Sequence, residues 1–121
     1  GVVHSMAHTV GSYFHVAHGL ADAILLPYVM EFNSTEPYAK KVYEDFAEYI
    51  GEKDLIQTVK ELNQKVGIPT ALKDVIPEEE KYMDMLDEMA KVAKADGCTK
   101  TNPIIPEPEQ FKELFVKAYR G

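Results

Sequence analysis

The sequence predicts an all-α protein. No segment of useful length alternates apolar and polar residues, apolar residues recur at three- and four-residue spacing along most of the chain, and glycines and prolines fall between those stretches. A chain of 121 residues with 45% hydrophobic content can bury a real core, since a domain of this size hides about two-thirds of its unfolded surface. Disorder over the whole length is excluded on the same ground.

The elements follow in chain order. Residues 2–14 place Val3, Ala7, Val10 and Phe14 on one helical face, weakened by Gly11, and Ala17, His18 and Gly19 mark a break. A second helix over residues 18–32 sets Ala21, Ile24, Leu25 and Val29 in period, and its internal Pro27 predicts a kink. Asn33, Ser34 and Thr35 form a polar stop and a candidate N-cap for the helix that starts at Glu36 and Pro37. That helix lines Val42, Phe46 and Ile50 along one side and ends at Gly51.

Asp54 begins a fourth helix, with Leu55, Val59, Leu62 and Val66 as its expected buried face, closed by Gly67, Ile68 and Pro69. A short helical turn is expected over residues 71–75. Pro77 followed by Glu78, Glu79 and Glu80 starts another helix, because proline fixes the first turn and carboxylates favour the positive end of the dipole. Leu86, Met89 and Ala93 turn inward and Gly97 terminates it. Residues 99–108 hold three prolines and no period, hence a loop, before a final helix over residues 109–119 that buries Phe111, Leu114, Phe115 and Ala118.

Thirteen Lys and Arg against twenty Asp and Glu give a net charge of −7, which argues against nucleic acid or an anionic membrane as partner. The longest nearly apolar run, residues 20–30, carries Asp22 and Pro27 and falls short of the roughly 20 residues a bilayer needs. The one cysteine, Cys98, cannot form an internal disulfide, which fits a cytoplasmic protein. The chain begins at Gly1 with its first methionine, Met6, inside a helix, as expected of a fragment or processed product.

Histidine usage points to chemistry. His4, His8, His15 and His18 are all the histidines there are, and they fall within fifteen residues. His4 and His8 share a helical face at i, i+4, and His15 and His18 are i, i+3. Neutral imidazole is the commonest side-chain ligand for transition metals, so a metal site is one reading. Solvation of a helix, or hydrogen bonding in a core, is the other. No Glu follows His4, which excludes the zinc-protease pattern. Two imidazoles are too few for a tight site, so further ligands should be carboxylates. Ser5 and Ser12 lie on no nucleophile turn, and Cys98 lacks a basic activator and reads as structural.

The stretch Gly1-Val2-Val3-His4-Ser5-Met6-Ala7-His8-Thr9-Val10-Gly11, followed by His18-Gly19-Leu20-Ala21-Asp22-Ala23-Ile24-Leu25-Leu26-Pro27, resembles the signature of the iron-containing alcohol dehydrogenases, whose fold is dehydroquinate synthase-like. Gly97-Cys98 and Asn102-Pro103 with the final helix extend the likeness over the whole chain. The resemblance implies that His4 and His18 are metal ligands for Fe2+ or Zn2+. It implies that His8 is a catalytic residue beside substrate and the NAD or NADP nicotinamide. His15 falls where the family varies. Thr9 stands where the family usually has proline, which puts local backbone stiffness in doubt.

The family's remaining two ligands and its dinucleotide-binding domain do not occur in this sequence. Residues 1–121 are therefore expected to be a single, incomplete all-helical metal-ligating domain, inactive alone, from an enzyme that reversibly oxidises a small alcohol to an aldehyde or ketone by hydride transfer. Two other readings stand beside it: a helical metal-binding or assembly module without turnover, and a structural bundle whose histidines are relics. Homo-oligomerisation, or association with the N-terminal part, is expected to cover Val3, Val10 and Phe14.

Overall fold

The computed structural model describes residues 1–121, which form helices and no strand. Seven α-helices run in order: α1 (Val2–Phe14), α2 (His18–Asn33), α3 (Pro37–Tyr49), α4 (Leu55–Lys65), α5 (Glu79–Asp84), α6 (Leu86–Ala95) and α7 (Pro108–Arg120). Short 3₁₀ turns occupy Leu72–Asp74 and Gly97–Thr101. The all-α expectation holds. No helix is long and apolar enough to cross a membrane.

Local chemistry sets most boundaries. The N-cap of α3 is Glu36, whose carboxylate accepts from Ala39 N at 2.7 Å, and not the Asn33–Thr35 stretch that composition favoured. Asp54 caps α4 as expected, accepting from the backbone N–H groups of Ile56 and Gln57. A reciprocal cap between Glu107 and Gln110 starts α7 at Pro108. The single helix expected after Pro77 is divided at Met85 into α5 and α6, and the expected loop after Gly97 opens with a 3₁₀ turn. Within α2, Pro27 leaves the helix unbroken. Proline lacks the N–H that would bond the carbonyl four residues back, Ala23 O. Asn63 Nδ2, reaching across from α4, donates to that carbonyl at 2.8 Å.

The core is one cluster gathered by α1, α2, α6 and α7. Val2, Met6 and Val10 meet Ile24, Leu25 and Val29 from α2, Met89 and Ala93 from α6, and Phe111 and Phe115 from α7. Tyr82 of α5 enters this core carrying its hydroxyl, which donates to Phe115 O at 2.7 Å, and its ring stacks on Tyr119 at 4.4 Å between centroids. Tyr119 in turn donates to Ile76 O at 2.7 Å. Each buried phenol therefore has a partner, as it must where water cannot reach. Burial pushes the Tyr82 hydroxyl well above the ordinary phenol range.

Three expected faces differ. Helix α4 has no buried residue, and Leu62 is 58% exposed. Helix α3 buries only Ala39 and Ala47, leaving Val42, Phe46 and Ile50 on the surface. The face of α1 is rotated from the one expected: Val2, Met6 and Val10 are fully buried, while Val3 and Phe14 are half-buried against the core. Val10 therefore needs no second chain to cover it. Periodicity identifies the apolar stripe on a helix, but only the neighbouring helices decide how much of it is covered.

Candidate metal centre

The N-terminal end of α1 is anchored by Asn102. Asn102, just beyond the second 3₁₀ turn, accepts from Val2 N through its Oδ1 at 3.2 Å and donates through Nδ2 to Asn33 Oδ1 at 2.7 Å and Ile104 O at 2.6 Å. The Asn102-Pro103 pair noted in the sequence thus ties α1 to α2. One turn along, buried Ser5 shares a 2.6 Å hydrogen bond with Thr99, whose hydroxyl also donates to Ala93 O at 2.6 Å. Thr9 donates to Ser5 O at 2.8 Å, so the position where a proline was expected keeps its turn bonded from the side chain.

Helix α1 ends on His15, which adopts a left-handed conformation with φ 59° while its N–H donates to Gly11 O. Glycine at position 11 eases this turn, since a Cβ there would lie a tight 3.2 Å from Val16 O. This tight reversal sends α2 back along α1 and brings His18 over His4. The three rings of His4, His18 and His8 lie together, with His18 in the middle: its centroid is 5.5 Å from that of His4 and 5.0 Å from that of His8. His15 is exposed and outside the group.

His4 Nδ1 and His18 Nε2 face each other at 3.4 Å. Asp22, one turn after His18 on α2, reaches His18 Nε2 with Oδ2 at 3.0 Å. Its other oxygen, Oδ1, lies 3.5 Å from His4 Nδ1, is shielded from water and makes no hydrogen bond. Two imidazole nitrogens and a carboxylate oxygen lie within 4.8 Å of one another. Two imidazoles meeting nitrogen to nitrogen beside an unsatisfied carboxylate oxygen form a donor set that fits a divalent cation of the Fe2+ or Zn2+ type.

His8 is held separately. Its Nδ1 lies 2.9 Å from Asp96 Oδ2, and Asp96 Oδ1 accepts from Cys98 N at 2.8 Å. The His8 hydrogen bond, reinforced by the Cys98 N–H, holds the Asp96 carboxyl below the usual carboxylate range. With Nδ1 bonded to a carboxylate, Nε2 is the nitrogen left for a second partner. Cys98 also lies in this corner, with its sulfur within 4.8 Å of the His8 and Asp96 ligand atoms, although no basic group was expected near it.

An open groove of about 580 Å³ adjoins the cluster, bounded by His4 and Asp22 and walled by Val3, Leu26, Val29, Met30 and Tyr43. The structure therefore brings His4, His8 and His18 together, adds Asp22 and Asp96, and leaves His15 out. Asp22 was accessible as i+4 from His18 on one helix. Asp96 lies 88 residues from His8, so nothing local marks it.

Residues 1–119 match the family model described as Fe-containing alcohol dehydrogenase family, C-terminal. The chain is 41% identical to the NADPH-dependent butanol dehydrogenase of Clostridium saccharobutylicum, over 100% of this chain and 33% of that protein. It is 38% identical to an alcohol dehydrogenase of Thermococcus barophilus, over 98% of this chain and 31% of that protein. Among solved structures, the iron-containing alcohol dehydrogenase of Thermococcus thioreducens superposes with a TM-score of 0.91 at 41% identity, covering 100% of this chain and 32% of that one. A 1,3-propanediol oxidoreductase superposes at 0.87 with 28% identity, covering 98% and 32%. The chain thus spans about a third of the length of the curated relatives it matches.

Proposed function

The chain belongs to the iron-containing alcohol dehydrogenase family, and from that premise we propose that its residues form the metal-ligating helical part of an NAD(P)-linked dehydrogenase that interconverts a small alcohol and its aldehyde or ketone. The observation that carries this is the convergence of His4 Nδ1 and His18 Nε2 at 3.4 Å on two helices packed against each other. Bound there, a divalent iron or zinc ion would supply Lewis acidity toward an alcohol oxygen.

His4 and His18 would hold the ion from α1 and α2, and the Asn102 bond to Val2 N keeps the start of α1 in register with them. His8 stands next to His18 and, oriented by Asp96, offers Nε2 to take up or return the alcohol proton. Asp96 acts through His8 by fixing its ring and tautomer. The groove beside His4 gives the alcohol's carbon chain an apolar wall. The nicotinamide is expected on the His8 side of the cluster.

A chimera tests this reading: residues 1–121 replace the matching third of the Clostridium saccharobutylicum butanol dehydrogenase. The chimera should oxidise 1-butanol with NADP+ and carry one iron or zinc per chain. Replacing His4 or His18 with alanine should remove the metal, and His8→Ala should keep the metal while lowering kcat by at least about a hundredfold. A folded chimera that binds metal equally well without His4 or His18 overturns the ligand assignment. Unchanged turnover in His8→Ala overturns the role of His8.

A further inference from the structure

We propose that the exposed face of α3 is a self-association surface, on which a second copy of this chain docks its own α3 antiparallel across a two-fold axis.

The face is apolar where water would favour polar groups. Tyr38, Val42, Phe46 and Tyr49 succeed one another at helical spacing, so they form one stripe along α3. All four are exposed, Tyr38 at 75% and Tyr49 at 87%. The side that α3 buries against the rest of the chain is a different one, carried by Ala39 and Ala47. A single exposed tyrosine needs no explanation, whereas a row of large apolar side chains marks a surface that another surface covers.

The charges beside the stripe indicate which surface that is. Lys40 and Lys41 lie in the first half of α3, and Glu44, Asp45 and Glu48 in the second. This order opposes the helix dipole, which favours carboxylates at the start and cations at the end. Helix α6 follows the dipole, with Asp87 and Glu88 in its first turn and Lys94 in its last. Helix α7 does so too, with Glu109 at its start and Lys117 and Arg120 at its end. Helix α3 has no acidic residue in its first turn and no basic one in its last. Its own stability therefore does not account for the order. Within the chain Lys41 pairs with Asp45 at 3.4 Å, an exposed contact that leaves Lys40, Glu44 and Glu48 without a counter-charge.

An antiparallel copy of α3 accounts for it. Lys40 and Lys41 of one copy then lie beside Glu48 and the negative C-terminal end of the other helix, and the two-fold axis repeats the contact. Val42 and Phe46, at the middle, cover their counterparts, and Tyr38 of one copy comes beside Tyr49 of the other. A parallel copy would set lysine against lysine. The chain as a whole carries −7, so two copies repel unless a local pattern of this kind opposes it. With 13 residues in α3, the interface falls below the roughly 1,200 Å² of a standard complex, so the dimer is weak and depends on concentration.

Sedimentation equilibrium over a range of chain concentrations measures the dimer. The unmodified chain should dimerise reversibly. Lys40→Glu with Lys41→Glu makes the helix uniformly negative, and Glu44→Lys with Glu48→Lys makes it largely positive. Each double variant alone should associate at least about tenfold more weakly, because like charges then face each other across the axis. An equimolar mixture of the two should recover the dimer, since opposite charges meet again. Tyr49→Ser, which alters no charge on a side chain that is almost fully exposed, should also weaken association. Circular dichroism checks that every variant keeps its helices.

A chain that stays monomeric at every concentration overturns the proposal, and the stripe then serves a different partner or none. A dimer that neither double variant weakens overturns it as well, because copies then meet through another face. Weakening by both without recovery in the mixture overturns the antiparallel pairing. Should a double variant lose helicity, Tyr49→Ser decides by the same measurement, and an unweakened dimer there overturns the stripe as the contact.

Discussion

Helices α1 and α2 and helices α3 and α4 are two consecutive contacting pairs with opposite fates. Helix α1 buries six residues, and α2 buries residues around its whole circumference. Helix α3 buries two alanines and α4 none, although both carry an apolar stripe as regular as that of α1. The first pair is clamped by α6 and α7. The second is attached by polar contacts: Asn63 to Ala23 O, Lys60 to Glu31 at 2.8 Å, and Asn33 Nδ2 to the Tyr43 hydroxyl at 3.2 Å. An amphipathic pattern is enough to make a helix, but rigidity comes from the surface it packs on. The histidine cluster sits on the clamped pair, where a ligand set can be held in fixed geometry.

The contrast can be broken most directly in the core. Phe115→Ala should cost about 3–5 kcal/mol of unfolding free energy, as large aromatic deletions in cores do, while Phe46→Ala on α3 should stay within about 0.5 kcal/mol. Urea denaturation of both variants reads the difference, and equal losses would mean that α3 is packed as tightly as α7.

Asn102→Leu comes next. It strips Val2 N and Asn33 of their partners and should cost about 1–3 kcal/mol. Because Asn102 secures the start of α1, the same variant should weaken Co2+ uptake at His4, measured by titrating Co2+ while following its visible absorption. Stability lost with metal affinity intact would separate the anchor from the site.

Asn63→Leu should cost about 1 kcal/mol by leaving Ala23 O without a donor. Hydrogen exchange should then speed up in α4 and remain slow in α1. Acceleration of both would show that the pairs unfold as one unit.

The smallest effect concerns Glu31, which binds Lys60 of α4 and Lys117 of α7. Burial pushes its carboxyl up, but hydrogen bonds and charge from the two lysines outweigh this and hold it below its ordinary value of 4.5. A carboxyl lowered in the folded state binds fewer protons folded than unfolded. Its contribution is therefore complete above pH 4.5 and is lost as the pH falls through the lower folded value. At about 1 kcal/mol or less, the loss should appear as a steeper acid decline in stability for the unmodified chain than for Glu31→Gln. Parallel pH curves would remove Glu31 as a link between the two pairs.

The sequence by itself determined the helices, because N-caps such as Asp54, stops such as Gly51 and Gly67, and the apolar period act within a few residues of one another. It also marked His4, His8 and His18, since their spacing is written locally, and with them the family. Asp22 was within reach of the same spacing argument and passed as a charge in an apolar run. The tertiary structure alone decided the rest. It chose Val2 and Met6 over Val3 as the core face of α1, left Val42, Phe46 and Leu62 uncovered, supplied Asn63 to the carbonyl that Pro27 cannot bond, and brought Asp96 to His8 across 88 residues. A helix forms through contacts three and four residues apart, whereas burial and long-range hydrogen bonds depend on which surfaces of distant helices meet.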